Sequence, residues 1–241
     1  MQTRQLKFLK QTVKTHTSSV KLSSLKKVLS LSKKNIAVLV SGGGTNLQSL
    51  IDCEKQGMFG ESKITLVVAS KPGVYALERA ANNNIASTVL CRKDYESIAD
   101  YSKALVETLK NADIDLVVLA GFLTIIDEQV YEAYPNAIIN IHPALIPSFC
   151  GKGFYGLHVH EAALAKGVKV SGATVHFVTP ECDAGPIIMQ RTVEVKQDDT
   201  PETLQQRIME EVEWKILPES VKLFCEDKLE VKDNIVYIKE N

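Results

Sequence analysis

The chain has 241 residues, 45% of them hydrophobic and 24% charged, which suits one large α/β domain or two small ones with a real buried core. Its formal net charge of −1 hides an asymmetry: nine of the 28 basic residues fall in residues 1–34, which hold no acid, leaving 19 basic against 29 acidic residues in the body. An acidic body argues against a general nucleic-acid surface, no apolar run reaches the roughly 20 residues that span a bilayer, and five scattered cysteines without a CxxC pair fit reduced thiols rather than a disulfide or zinc scaffold.

Residues 1–34 are rich in Lys, Ser and Thr and show no strand pattern. They read as a basic leader, disordered or partly helical. A Ser-rich, acid-free segment also fits an organelle-targeting peptide, although Arg4 is its only arginine. From Asn35 onward apolar runs of strand length alternate with helical patterns. Strands are expected at 36–40, 63–70, 86–90, 115–120 and 137–141, with helices near 47–56, 75–82, 98–110 and 127–134. Such alternation predicts a parallel sheet covered on both faces. The second part differs. A short helix over 159–166 leads to strands at 168–179 and 187–195, which no helix-length spacer separates, so they pair antiparallel. Thr200 is a good N-cap and Pro201 a good first residue for a helix to about Glu213, with a second segment beyond Pro218. Residues 229–238 read as a hairpin turning at Asp233-Asn234. One domain is expected over 35–241.

Ser41-Gly42-Gly43-Gly44-Thr45-Asn46 follows the first strand and opens the first helix. Unhindered backbone amides at a helix N-terminus suit a phosphate; the same glycines also suit a plain tight turn. The loop lacks the lysine of a Walker motif. Leu47 stands where a dinucleotide fingerprint needs its third glycine, and Ser70-Lys71 stand where its ribose-binding acid belongs. One phosphate fits better than a pyrophosphate.

Asn140 and His142 lie two residues apart at the carboxyl end of the fifth strand, so they share a face. An amide donor beside an imidazole can hold an oxyanion and move a proton; a structural strand-end histidine is the alternative. Asp183, in a turn-rich loop, is placed to orient His142 and raise its pKa, or to make an ordinary Asx turn. His158 and His160 read as surface caps at a helix start, and His176 as a hydrogen-bonded core histidine. No HExxH or similar spacing supports a metal.

Taken together, SGGGTNLQSLI, VVLAGF, NIHPALIPSF, GATVHFV and the Asp-x-Gly-Pro of CDAGPII resemble, in order and spacing, the phosphoribosylglycinamide formyltransferases, within the wider folate-dependent formyltransferase group. The resemblance runs from about Asn35 to Leu229. It implies a Rossmann-like α/β fold, a mostly parallel sheet flanked by helices with an antiparallel C-terminal part. It implies transfer of a formyl group from 10-formyltetrahydrofolate, without a metal, to the amine of glycinamide ribonucleotide. By the same resemblance Asn140, His142 and Asp183 form the catalytic trio. Gly43, Gly44, Thr45, Asn46, Gly121, Pro143 and Glu213 would bind the ribonucleotide. Leu123, Thr124, Ile125, Ile126, Ile138, Val178, Cys182 and Asp183 would line the folate pocket. Two positions depart from better-known members: Thr124 stands where many have Arg, and Trp214 where His is common. The segment 148–155 is longer than the shortest family loops and reads as a lid or a surface insertion. Partners are expected to be small molecules, with no nucleic acid and no membrane, in a cytoplasmic monomer or homodimer. Rival readings are a formyltetrahydrofolate hydrolase, a formyltransferase acting on initiator methionyl-tRNA, and a non-catalytic ligand-binding α/β protein.

Overall fold

The computed structural model describes residues 33–240. The proposed leader therefore lies almost wholly outside the described residues; Lys33 and Lys34 belong with the body. Lys34 donates its backbone N–H to Ser62 Oγ and places its ammonium 3.2 Å from Asp227.

Seven strands form one sheet in the order β3-β2-β1-β4-β5-β6-β7. The first five are β1 (Asn35–Val40), β2 (Lys63–Ala69), β3 (Ala86–Val89), β4 (Leu116–Leu119) and β5 (Ile138–His142), and each pairs in parallel with its neighbour. β6 (Val170–Phe177) and β7 (Ile187–Glu194) add on antiparallel, as the missing helical spacer implies. Ile36 to Val40 are fully buried, because helices cover both faces of the central strands. One core cluster includes Ile36, Val38, Leu47, Leu50 and Ile216; the other, on the opposite face, holds Ala37, Leu39, Tyr101, Leu105 and Ile138. The split between even and odd positions of β1 is the period-two alternation of a strand.

The helices are α1 (Thr45–Lys55), α2 (Tyr75–Asn82), α3 (Ile98–Asn111), α4 (Glu128–Ala133), α5 (Leu157–Lys166), α6 (Pro201–Ile208) and α7 (Trp214–Cys225). The C-terminal strands β8 (Leu229–Lys232) and β9 (Ile235–Ile238) form the expected hairpin. Asp233 and Asn234 both have positive φ (48° and 62°), the geometry of a two-residue turn that follows the strand twist.

The expected break at Pro218 does not occur. α7 runs through that proline, and the irregularity lies upstream, in a π-turn over Met209–Glu213 that joins α6 to α7. Pro218 cannot donate to the carbonyl of Trp214 four residues before it. Ser49 on α1 donates to that carbonyl instead, at 2.9 Å, and the helix continues.

Strand order fixes where a ligand can sit. The chain winds from β1 outward to β3, then returns to β4 on the other side of β1. The loops leaving β1 and β4 therefore diverge, opening a crevice at the carboxyl ends of these two strands.

Candidate active site

The glycine loop leaves β1 into this crevice. Gly44 is the N-cap of α1, with φ 71°, and no side chain caps the helix. A Cβ on Gly44 would stand 2.7 Å from Ala76 Cβ on α2, so glycine is required both for the left-handed backbone and for the close approach. The uncapped N-terminus leaves backbone donors free for an anion. Ser41 ties the loop to its surroundings: its Oγ receives hydrogen bonds from Ser70 Oγ (2.7 Å) and from the Leu123 N–H (3.0 Å). The ends of β1 and β2 are thus bonded to the loop that follows β4.

Asn46 is buried behind the loop and donates through Nδ2 to Glu213 Oε2 at 2.7 Å. Glu213 ends the π-turn, a distortion that aims its side chain at α1. Burial drives the Glu213 carboxyl up, the Asn46 bond offsets part of that, and the result is about 7. Thr45 Oγ1 faces Met209 Sδ at 3.8 Å, at the other end of the same turn.

Two strands away, roughly 10 Å across the sheet, lies a polar cluster. The register aligns Leu39 with Leu119 and Leu119 with Asn140. The antiparallel pairing of β5 with β6 sets Asn140 opposite His176 and His142 opposite Thr174. Asn140 Nδ2 lies 3.1 Å from His176 Nε2, whose other ring nitrogen lies 2.8 Å from the Phe177 carbonyl. That carbonyl requires the proton on Nδ1, so Nε2 is free to accept from the Asn140 amide. Asp183, with φ 55°, places one carboxylate oxygen 3.6 Å from His142 Nδ1 and the other 3.6 Å from His176 Nε2. These distances are long for hydrogen bonds but close for charge. Gly151 N–H donates to Asp183 Oδ2 at 2.8 Å. Gly185 presses the Asp183 loop onto β6; any side chain there would collide with the Phe177 carbonyl.

Burial pulls the His142 pKa down, and the Asp183 charge and the Phe149 carbonyl push it up; the net value lies below the usual 6.5. Asp183 raises His142, as expected from the sequence, but burial outweighs it. Burial pushes Asp183 itself up, yet the close approach of His176, the Gly151 N–H and the charge of the His142 imidazole hold it at about 2.

The segment 148–155 sits on this pair. The Phe149 carbonyl is 2.8 Å from His142 Nε2, and Gly151 holds Asp183. Use of Nε2 in a reaction requires this segment to withdraw. A cavity of about 550 Å³, bounded by Cys150, Cys182, Asp183, Gly185, Asn234 and Val236 among others, lies beside it.

The other expected site residues separate into two groups. Leu123 and Ile125 are exposed (61% and 72%), as an apolar wall for a flat ring would be, with Thr124 half-buried between them; Cys182 is exposed and Val178 half-buried. Ile126 and Ile138 are instead buried in the core beneath that wall, where their side chains support it from behind. Gly121, φ 69°, turns the chain out of β4, and Pro143 follows His142, half-buried.

The histidines correct the sequence reading in two places. His158 is exposed and pairs with Glu161 at 3.0 Å. His160 is no surface cap: it is fully buried, and burial together with the His142 charge lowers it to about 4. His176 is a buried, hydrogen-bonded histidine, as expected, but it bonds the Asn140 amide and stands 3.6 Å from Asp183, which makes it the fourth member of the cluster. No three His, Cys, Asp or Glu side chains stand together as a metal site among the described residues.

An open α/β sheet with an anion-type helix N-terminus at its switch point, and an Asn–His–Asp cluster two strands away, defines a group-transfer enzyme of the acyl type. A family description for formyl transferases matches residues 34–221, and the chain belongs to that family. It is 38% identical to the chloroplastic phosphoribosylglycinamide formyltransferase of Arabidopsis thaliana, over 87% of this chain and 71% of that protein. The crystal structure of glycinamide ribonucleotide transformylase 1 from Symbiobacterium toebii superposes with a TM-score of 0.81 at 39% identity, covering 86% of this chain and 95% of that one. A formyltetrahydrofolate deformylase from Pseudomonas syringae superposes at 0.76 with 26% identity, over 87% of this chain and 67% of that one.

Proposed function

We propose that this chain transfers the formyl group of 10-formyltetrahydrofolate to the primary amine of glycinamide ribonucleotide. The products are N-formylglycinamide ribonucleotide and tetrahydrofolate, in purine synthesis. The observation that carries the reading is the pairing of two features across β1, β4 and β5: a helix N-terminus suited to one phosphate, and an Asn140–His142–Asp183 cluster about 10 Å away.

In this reading the amides of Gly43, Gly44 and Thr45, with the Asn46 side chain nearby, hold the phosphate. Glu213 and the backbone at Gly121 and Pro143 hold the sugar and glycinamide. Leu123 and Ile125 cover one face of the folate ring, with Thr124, Val178 and Cys182 at its edges and Ile126 and Ile138 behind. The amine attacks the formyl carbon directly. Asn140 Nδ2 and the His142 ring donate to the developing oxyanion, and His176 fixes the direction of the Asn140 amide. Asp183 stabilises the His142 imidazolium as the proton passes to the leaving nitrogen. No covalent enzyme intermediate is required, so Cys150 and Cys182 are not nucleophiles. The compartment is the cytoplasm, with residues 1–34 the segment that would carry an organelle address.

The test is a spectrophotometric assay with 10-formyltetrahydrofolate, with and without glycinamide ribonucleotide, on the wild-type protein and on His142→Ala. Folate release that needs the ribonucleotide and collapses in the variant supports the reading. Release without the ribonucleotide identifies a hydrolase, the activity named for the Pseudomonas neighbour. No release from folded protein leaves a binding protein.

A further inference from the structure

The glycine loop carries no cation, and the body of the chain is acidic. A phosphate monoester near neutral pH is close to a dianion, so a site built on this loop needs positive charge from elsewhere. Arg79, on α2, supplies it. Its Nε donates to the Gly43 carbonyl at 2.8 Å, and its Nη1 donates to Gln48 Oε1 on α1 at 3.0 Å. The guanidinium lies over the Tyr75 ring, 4.8 Å from its centroid, one helical turn earlier. Loop, α1 and α2 all hold it, and its remaining N–H groups are not used in these bonds.

The Gly43–Gly44 peptide is trans, so its carbonyl and its N–H point in opposite directions. With the carbonyl turned onto Arg79, the Gly44 N–H is turned away from it. Arg79 thus stands behind the loop. It fixes the peptide's orientation and polarises it, so that the N–H end becomes a better anion donor. Gly44 is pinned from the same side: a Cβ there would meet Ala76 first and the Arg79 Cδ at 3.5 Å.

We infer that Arg79 is the positioning residue of the phosphate loop, through which the enzyme prefers a phosphorylated substrate over its riboside. This rests on the glycinamide ribonucleotide reading above. Arg79 acts through the Gly43–Gly44 peptide and its charge, and touches no reacting atom.

The experiment compares wild type, Arg79→Gln and Arg79→Lys on glycinamide ribonucleotide and on its dephosphorylated riboside, with calorimetric titration of inorganic phosphate into each folded protein. Arg79→Gln is expected to raise KM for the ribonucleotide about tenfold and to weaken inorganic phosphate by a similar factor. KM for the folate donor and kcat/KM for the riboside stay near wild type. Arg79→Lys recovers part of the loss, because an ammonium keeps the charge but not the two-pronged geometry. An equal loss on ribonucleotide and riboside, with a lower Tm, would reduce Arg79 to a structural staple and overturn the inference; so would unchanged phosphate affinity in Arg79→Gln. Wild-type protein that formylates neither substrate would count against the substrate assignment, and the phosphate titration would still decide the role of Arg79.

Discussion

Ser49 Oγ donates a 2.9 Å hydrogen bond to the main-chain carbonyl of Trp214, the acceptor that Pro218 leaves without its helical donor. One side chain on α1 thereby repairs a defect in α7 and holds the π-turn that carries Glu213 against the helix of the glycine loop. The glycine loop and the Glu213 carboxyl are mechanically one unit.

Ser49→Ala should destabilise the protein by about 1 kcal/mol, the net worth of one partly buried hydrogen bond. Because the bond sits next to Glu213, KM for the ribonucleotide should rise with it. Denaturant unfolding with unchanged slope gives the first quantity. A variant as stable as wild type would mean that water satisfies the Trp214 carbonyl equally well.

The strands were legible because four of them, β1, β2, β4 and β5, are built on apolar runs bounded by turn residues, and the sharing of a face by Asn140 and His142 followed from period two alone. The role of His176 was not legible. It depends on the register that sets Asn140 opposite His176, and neither strand encodes that register by itself. His160 was misplaced because the true helix starts at Leu157, which puts position 160 on the inward face. Pro218 misled for a related reason: its defect is mended by a residue 169 positions earlier in the sequence, Ser49. Arg79 carried no signal, since a lone arginine on a helix reads as solvated surface until the fold brings Gly43 to it.

Asp183 is expected to act on His142 in a measurable direction. Its charge raises the His142 pKa against the larger lowering by burial. Asp183→Asn should therefore move the His142 titration to still lower pH, as followed by NMR of the ring protons, and cut kcat by about 10²–10³, the scale of a lost transition-state electrostatic contact. An upward or absent shift would show that the 3.6 Å approach has no electrostatic consequence.

Asn140→Ala removes the amide that His176 orients. A loss in kcat of ~10²–10³ is expected, with KM for the ribonucleotide little changed, because the contact strengthens only as the oxyanion forms. His176→Ala leaves the Asn140 amide in place but undirected, and should cost less. Equal, small effects in both variants would remove Asn140 from the oxyanion role.

Glu213 gives the pH dependence its second sign. Its folded pKa is about 7, well above the usual 4.5 for a glutamate. Between those values the folded protein holds a proton that the unfolded chain has released, so stability falls as pH rises through that window and levels off above about 7. The accumulated penalty is about 3 kcal/mol at pH 8. Glu213→Gln keeps the shape, and its new amide can donate to Asn46 Oδ1, a buried acceptor without a partner among the described residues. The variant should be more stable than wild type at pH 8 and nearly equal to it at pH 4.5, while binding the ribonucleotide less well, an exchange of stability for function at a single buried carboxyl. Unfolding titrations at the two pH values decide it: a stabilisation that is the same at both would show that burial of charge at Glu213 is not its source.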